Sequence, residues 1–345
     1  MSSRSPQAAV VAFLRNPENY PHTGDKPDHV ETNQSHVFRV GNYAYKLFKA
    51  ISRYRDNTTP AARLENAKFE ISANRALAGD LYIGIFAVTT QENDHLTLVP
   101  AEQADTNQVV DYVVKLHRFN DDDLLYNRLF SGTLTPYDVY ALGAGVARFH
   151  KNQSPNSAPV QGTYKAFLDD FRKTIKSYIQ KVPCPYATTL LEDLHVLAVT
   201  AVDNNRLFLE NRNHSWRFLH GDLDFGNIVD FNGQLMPFDA QVLFGGQYIN
   251  DPARDAAYML APLYMYGRPD LAERLLSGYQ SVAHDRALEN VLPLWVAYAC
   301  IVRGSSWLSR LEGVNSPQQV ARMEAYSYRY LQVAKRFLTG KMTLR

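Results

Sequence analysis

Residues 217–239 constrain the fold of this chain more than any other stretch. They contain Asn232-Gly233, the strongest short-range signal for a two-residue hairpin, because a type I′ turn needs φ > 0 at both central positions. Counting outward from that turn sets Asn227 opposite Phe238 and Gly226 opposite Asp239. Asn227 and Asp239 then lie side by side at the open end of the hairpin, and Asp222 enters that end just upstream. Three oxygen-bearing side chains converge, as a hard cation such as Mg²⁺ and a base for a hydroxyl require. Asp and Asn are also common on the polar rim of an ordinary hairpin, so this pattern alone leaves that plainer reading open.

A second hairpin offers an independent test. Residues 36–40 and 43–48 flank Gly41-Asn42 and read as two strands around a two-residue link. Alternation puts Ala44, Lys46 and Phe48 on one face, with Tyr43, Tyr45 and Leu47 on the other. A small residue two before a lysine leaves room for a flat base beside the strand, and the lysine then reaches phosphates. Such a lysine needs a carboxylate to fix it. The spacing of Leu64, Ala67 and Ile71, with Gly79 as a stop, predicts a helix over 61–78 that offers Glu65 and Glu70. Glu70, next to the apolar Ile71, is nearer the inner face; Glu65 reads as a solvated surface charge.

The first third is β-rich, with further strands expected over 82–89, 95–99 and 109–116, after a short helix over 8–14 stopped near Pro17. The rest is mostly helical. Thr135-Pro136-Tyr137-Asp138 is a helix start, and Val139, Leu142, Val146 and Phe149 form its apolar stripe, ending at His150. Residues 151–162 read as a surface loop. The 345 residues suit one large domain or two lobes, and 46% hydrophobic residues supply a core. Lys and Arg total 36 against 35 Asp and Glu, so no global field favours nucleic acid or an anionic membrane. Cys184 and Cys300 are too few and too far apart for a disulfide framework or zinc site, and read as reduced core residues. No His pair has metal-ligand spacing near the hairpin, which sets a hydrolytic metalloenzyme aside. The N-terminus lacks a secretory h-region and no segment approaches the ~20 apolar residues of a membrane span, so a cytoplasmic protein is expected.

His220-Gly221-Asp222-Leu223, followed by Gly226-Asn227, resembles the catalytic loop of aminoglycoside phosphotransferases and choline-kinase-like enzymes. Phe238-Asp239-Ala240 resembles their metal-binding Asp motif, and Asp251-Pro252-Ala253-Arg254-Asp255 the helix after it. Asn16-Pro17-Glu18-Asn19-Tyr20, Gly41-Asn42-Tyr43-Ala44-Tyr45-Lys46 and Val113-Val114-Lys115-Leu116-His117 are similar to a bacterial kinase-like subgroup, so the likeness covers about residues 6–310. It implies an α+β, bilobal protein-kinase-like fold, with a small β-rich N-lobe and a larger helical C-lobe. The expected division is 1–22 as an N-terminal helical extension, 23–117 as the nucleotide-binding lobe, and 118–345 as the lobe with catalytic loop and acceptor site.

The resemblance also implies ATP and Mg²⁺ as cofactors and transfer of a phosphoryl group to a hydroxyl of a small molecule. Asp222 would accept or orient the hydroxyl proton; Asn227 and Asp239 would hold Mg²⁺; Lys46 would hold phosphates and pair with Glu70. The backbone of Lys115, Leu116 and His117 would meet the adenine edge, and Ser35 would lie in the loop over the phosphates. His220 and Asp255 read as supports of the catalytic loop. There are two departures: no strict Gly-rich phosphate loop, and Asp224 where the family usually carries His. A second carboxylate adds like-charge repulsion near phosphates unless a metal compensates. A nucleotide-binding pseudokinase or regulatory module, or a kinase acting on a protein, therefore stays as an alternative. For the acceptor, residues 261–345 carry eleven Lys/Arg against six Asp/Glu, which favours a neutral or anionic compound over an aminoglycoside. Trp295, Tyr298, Arg303 and Trp307 are placed near the cleft, with Arg303 meeting an anionic group; an ordinary core helix with a snorkelling Arg is the plainer alternative.

Overall fold

The computed structural model describes residues 6–22, 25–52, 55–91, 95–182, 185–243, 246–311 and 314–344. Helices in chain order are α1 (Pro6–Leu14), α2 (Pro60–Ala78), α3 (Leu125–Ser131), α4 (Pro136–Asn152), α5 (Gly162–Ile179), α6 (Pro185–Asn204), α7 (Arg206–Glu210), α8 (Ala253–Met265), α9 (Pro269–Ala283), α10 (Leu288–Leu308) and α11 (Pro317–Leu338). The chain divides into two units: Met1–Asn127 with Val229–Tyr248, and Arg128–Ile228 with Ile249–Arg345.

The first unit is built on an antiparallel sheet of β1 (Asp28–Glu31), β2 (Ser35–Val40), β3 (Tyr43–Phe48), β4 (Tyr82–Thr90), β5 (Leu96–Pro100) and β6 (Val109–His117). Their order among the described residues is β1-β2-β3-β6-β4-β5. In the β2–β3 hairpin Val40 faces Tyr43, and Gly41 takes φ 53. A left-handed first central residue is what a tight two-residue hairpin link demands of glycine. Strand β1 has no sequence signature, since Asp28-His29-Val30-Glu31 is largely exposed; pairing with β2, Asp28 opposite Arg39, holds it.

Two helices cover opposite faces of this sheet. Val10 and Leu14 of α1 join Phe38, Val40, Tyr45 and Leu47. On the other face Ala67 and Ala78 of α2 join Phe48, Tyr82, Val114 and Leu116. Each large apolar side chain so buried contributes roughly 1.5–3 kcal/mol. Helix α2 starts where Thr59 Oγ1 accepts the Ala62 N–H at 3.1 Å, with Pro60 in the first turn. The buried Arg63–Asp111 pair, 2.6 Å apart, ties α2 to β6. The later segment of this unit carries the hairpin of Ile228–Phe231 and Gln234–Pro237, with Asn232 at φ 54 and Gly233 at φ 79. Both central residues are left-handed, as a type I′ turn requires.

The second unit is mostly helical. A capping box between Thr135 and Asp138 opens α4. Helices α4 and α9 cross with a glycine on each side. A Cβ at Gly143 would land on the Leu275 carbonyl, and one at Gly278 on the Tyr140 carbonyl. Helix α10 corrects the expectation that no segment approaches a membrane span, for it is long and apolar enough by length and composition. The reason is packing: 72% of its most apolar window is buried, against neighbours that include α8 and α11. Cys300 lies in it with no exposed surface, while Cys184 falls outside the described residues.

Candidate functional site

Lys46 leaves β3 on the face it shares with Ala44 and Phe48. Its Nζ lies 2.9 Å from Glu70 Oε1 and 2.7 Å from Asp239 Oδ1. Glu65 instead pairs on the surface with Lys68. Burial pulls the Lys46 pKa down, but the charges and hydrogen bonds of Asp239 and Glu70 outweigh it and hold the ammonium above the ordinary lysine value. Glu70 is fully buried, whereas the Asp239 side chain is 46% exposed and accessible to a ligand.

Asp239 is a non-glycine residue in the left-handed region, at φ 61. Such a conformation persists where neighbours over-determine it. Here Tyr82 Oη accepts the Asp239 N–H at 3.2 Å, and Asn74 Oδ1 accepts the Ala240 N–H at 2.9 Å. Asn74 Nδ2 also donates to the Glu70 carbonyl at 2.8 Å, so one buried amide links both carboxylate-bearing segments. Burial, then the Glu70 and Asp239 charges, push the Tyr82 phenol far up, so it stays neutral. Sequence reading found neither residue. Tyr82 reads only as the start of a strand, but Asn74 lies one helical turn after Glu70, a spacing that could have flagged it.

In the second unit, Asp222 Oδ1 accepts from Arg303 Nη2 at 2.7 Å, and Oδ2 accepts from Asn227 Nδ2 at 3.0 Å. Arg303 Nη1 also lies 3.3 Å from Asp224 Oδ2. The guanidinium thus bridges the two carboxylates whose repulsion the sequence raised as a difficulty.

A buried carboxylate supports this loop. The His220 and Gly221 N–H groups donate to Asp255 Oδ2 and Oδ1 at 2.8 and 2.9 Å. Gly221, at φ 84, turns its carbonyl to Arg254 Nη1 at 2.5 Å. Asp255 Oδ2 lies 3.1 Å from His150 Nε2, and His150 Nδ1 lies 2.9 Å from Tyr279 Oη. Burial raises the Asp255 pKa, but the His150 hydrogen bond and charge, the His220 charge and the Gly221 N–H together leave it below the ordinary carboxylate value. His150 is a polar residue on the buried face of α4, the one signal that could have marked it.

Mg²⁺ keeps several waters and binds through one or two carboxylates plus substrate phosphates, not in an all-protein cage. No three His, Cys, Asp or Glu side chains cluster as a metal cage among the described residues. The donor chemistry suits that mode. Lys46 with Glu70 and Asp239 sums to one net formal negative charge, a balance compatible with a divalent cation beside them.

No family model matches the chain. Uncharacterized proteins of Mycobacterium tuberculosis and Mycobacterium bovis are 22% identical over 312 residues, 89% of this chain and 59% of theirs. The chain therefore spans about three fifths of the length of those curated relatives. Among solved structures, choline kinase from Cryptosporidium parvum superposes with TM-score 0.56 at 12% identity, covering 96% of this chain and 97% of its own. A choline/ethanolamine kinase family protein from Mesorhizobium loti gives 0.54 at 15% identity, covering 96% and 99%. A glucosamine kinase bound to glucosamine, ADP and inorganic phosphate gives 0.56 at 16% identity, covering 98% and 87%. The fold is kinase-like.

In this kinase-like fold Ser35 opens β2, 3% exposed and opposite Phe48, on the same sheet face as Lys46. Lys115 and Leu116 are flanked by β3 and β4 on both sides, so the chain leaves the sheet only after His117. The Lys115 ammonium lies on the other face, 3.9 Å from the Tyr43 ring centroid and 4.9 Å from that of Phe86; burial lowers its pKa. The α10 expectations need correction. Trp295 and Tyr298 are 1% and 4% exposed and pack with Phe167 and Phe171, as core residues. Arg303 binds Asp222 and Asp224, and so is already committed to carboxylates of the chain itself.

Proposed function

We propose that this chain transfers the γ-phosphoryl group of ATP to a hydroxyl of a small molecule, with Mg²⁺ as cofactor. The observation that carries the reading is Lys46 held between Glu70 of the adjoining helix and Asp239. Phosphoryl transfer is chiefly positioning and charge neutralisation, and a strand lysine fixed by a helix glutamate beside a metal-binding aspartate is the recurrent kinase arrangement. Lys46 would hold phosphate oxygens. Asn227 and Asp239 would supply oxygen ligands to the metal, which when bound neutralises charge developing on the phosphates. Ser35 and the backbone of Lys115, Leu116 and His117 would line the nucleotide. Asp222 would orient the acceptor hydroxyl and take its proton as the acceptor oxygen bonds to the γ-phosphorus and the bond to the ADP oxygen breaks. The ADP and phosphate in the glucosamine kinase structure support nucleotide use by this fold.

Mg²⁺-dependent ATP consumption should appear with a metabolite mixture of hydroxylated compounds. Asp222→Asn should lower it by ~10²–10⁴-fold while ATP still binds. Near-full turnover by that variant would remove Asp222 from the mechanism. One observation favours a second reading: Arg303 already occupies Asp222 Oδ1. A nucleotide-binding module without catalysis would bind ATP·Mg²⁺ yet show no turnover above the Asp222→Asn background.

A further inference from the structure

Arg55, past the end of β3 in the first unit, is 9% exposed, and its Nη1 is buried without a hydrogen-bond partner. Among the described residues no carboxylate pairs with it. Its guanidinium lies over the Phe48 ring, 4.9 Å from the centroid. Arg63 and Arg212, also buried, are built differently. Arg63 holds Asp111 and the Asn57 carbonyl, and Arg212 holds Asp251 and Asp285. Asp56, the neighbour of Arg55 in sequence, turns its Oδ1 to the N–H and hydroxyl of Thr58. An interior cation is ordinarily paired, because a ring face returns little of the hydration lost on burial. An anion arriving as a ligand supplies the partner that the chain itself does not.

Position narrows the anion. Phe48 faces Ser35 across the β2–β3 pair, and the Lys49 N–H donates to the Gln34 carbonyl at 2.8 Å. The ring under Arg55 therefore sits at the base of the turn that joins β1 to β2. In protein kinases a Gly-rich loop covers the phosphates, with the phosphate-binding lysine on the third strand. Here the donors of the turn are already used: Thr32 Oγ1 accepts the Gln34 N–H at 3.3 Å and the Ser35 N–H at 3.0 Å. Two backbone groups that would otherwise meet a phosphate are spent inside the turn.

The same Phe48 ring lies 5.5 Å from Lys46 Nζ, so the two cationic centres are no farther apart than their two distances to the ring taken together. Along β3, Tyr43 pairs with His117 and Lys46 with Val114, so Phe48 lies beyond Lys46, on the side away from His117. A nucleotide with its base at Lys115–His117 runs past Lys46 toward Phe48. We propose that Arg55 is a phosphate-binding residue that receives the last phosphate of a triphosphate chain, in place of the amide groups that the turn has used. The guanidinium suits that role, because its N–H fork matches a phosphate and its charge strengthens each bond. The nucleotide rests on the phosphotransfer reading; recognition of the phosphate chain does not.

The test is calorimetric titration of the full chain with ATP·Mg²⁺, ADP·Mg²⁺ and inorganic tripolyphosphate. Arg55→Met keeps an unbranched stem and removes the charge. It should weaken ATP·Mg²⁺ and tripolyphosphate by ~10–100-fold and ADP·Mg²⁺ by less than about threefold. Arg55→Lys keeps the charge and should recover part of the loss. Without ligand, the melting temperature of Arg55→Met should stay level or rise, because an unpaired interior charge has gone. A marked fall in that temperature would make Arg55 a structural residue and overturn the proposal. Equal weakening of ATP·Mg²⁺ and ADP·Mg²⁺, or no weakening of either, would overturn it as well. Unchanged ATP·Mg²⁺ affinity and turnover in Arg55→Met would remove this subsite and leave phosphotransfer intact. Tripolyphosphate bound through Arg55 without ATP turnover would count against phosphotransfer and leave the subsite standing. Failure of the wild type to bind either ATP·Mg²⁺ or tripolyphosphate would overturn both.

Discussion

Asp255 has no exposed surface, yet it holds the backbone of His220 and Gly221 and the ring of His150. Asp255→Asn keeps the shape, removes the charge and leaves some of those donors unmatched. Breaking a buried charged network in this way costs about 3–5 kcal/mol, measurable by urea denaturation at neutral pH. The pH dependence follows from the depressed carboxyl. A carboxylate with a lowered folded pKa stabilises the protein above its unfolded pKa of about 4, and that contribution fades as pH falls toward the folded value. The gap between wild type and Asp255→Asn should therefore be full at neutral pH and shrink below about pH 4. A gap that stays constant into acid would mean that the carboxylate charge is not what holds the loop.

At the scale of elements, α2 presents Glu70 and Asn74 toward the end of the hairpin segment and Glu65 to solvent. Glu70→Gln should lower ATP·Mg²⁺ affinity about tenfold, since a charge-assisted bond to Lys46 is lost. Glu65→Gln should change nothing, and equal effects in the two variants would put the functional face of α2 elsewhere. Much of this was legible in the sequence because it is local. Gly41 and Gly233 announce their turns through backbone conformations that few other residues adopt, and the Lys46 face follows from simple alternation. Strand β1 was not legible, because its hydrophilic pattern is stabilised only by its partner. On α10, helical spacing grouped Trp295, Tyr298, Arg303 and Trp307 but could not say which way each points. Burial took the first two into the core, and Arg303 found carboxylates far away in sequence. Tyr82 and Asn74 act through backbone N–H groups of a distant segment, a relation with no local signature.

For the molecule as a whole, α10 is a central element of the helical unit, and Cys300 sits in it as a built-in probe. Burial pushes its thiol well up, away from the reactive thiolate. Native protein should leave Cys300 unlabelled by maleimide, read by peptide mapping, and label it in urea. Trp295→Ala, on the same helix, should destabilise by about 3–5 kcal/mol and open Cys300 to the reagent at lower urea. Rapid native labelling would mean that the helix is far less enclosed than its burial indicates. The glycine crossing reaches further still. His150 rides on α4 and Tyr279 on α9, so the bond between them reads out the gap between those helices and passes it to Asp255. Gly143 and Gly278 set that gap by what they lack. They work as a shim works under a bearing: a single added methyl at either place would lift the support of the loop at His220 and Gly221 and misalign it. Drift at two silent-looking positions thus shifts the loop while every side chain around it stays the same.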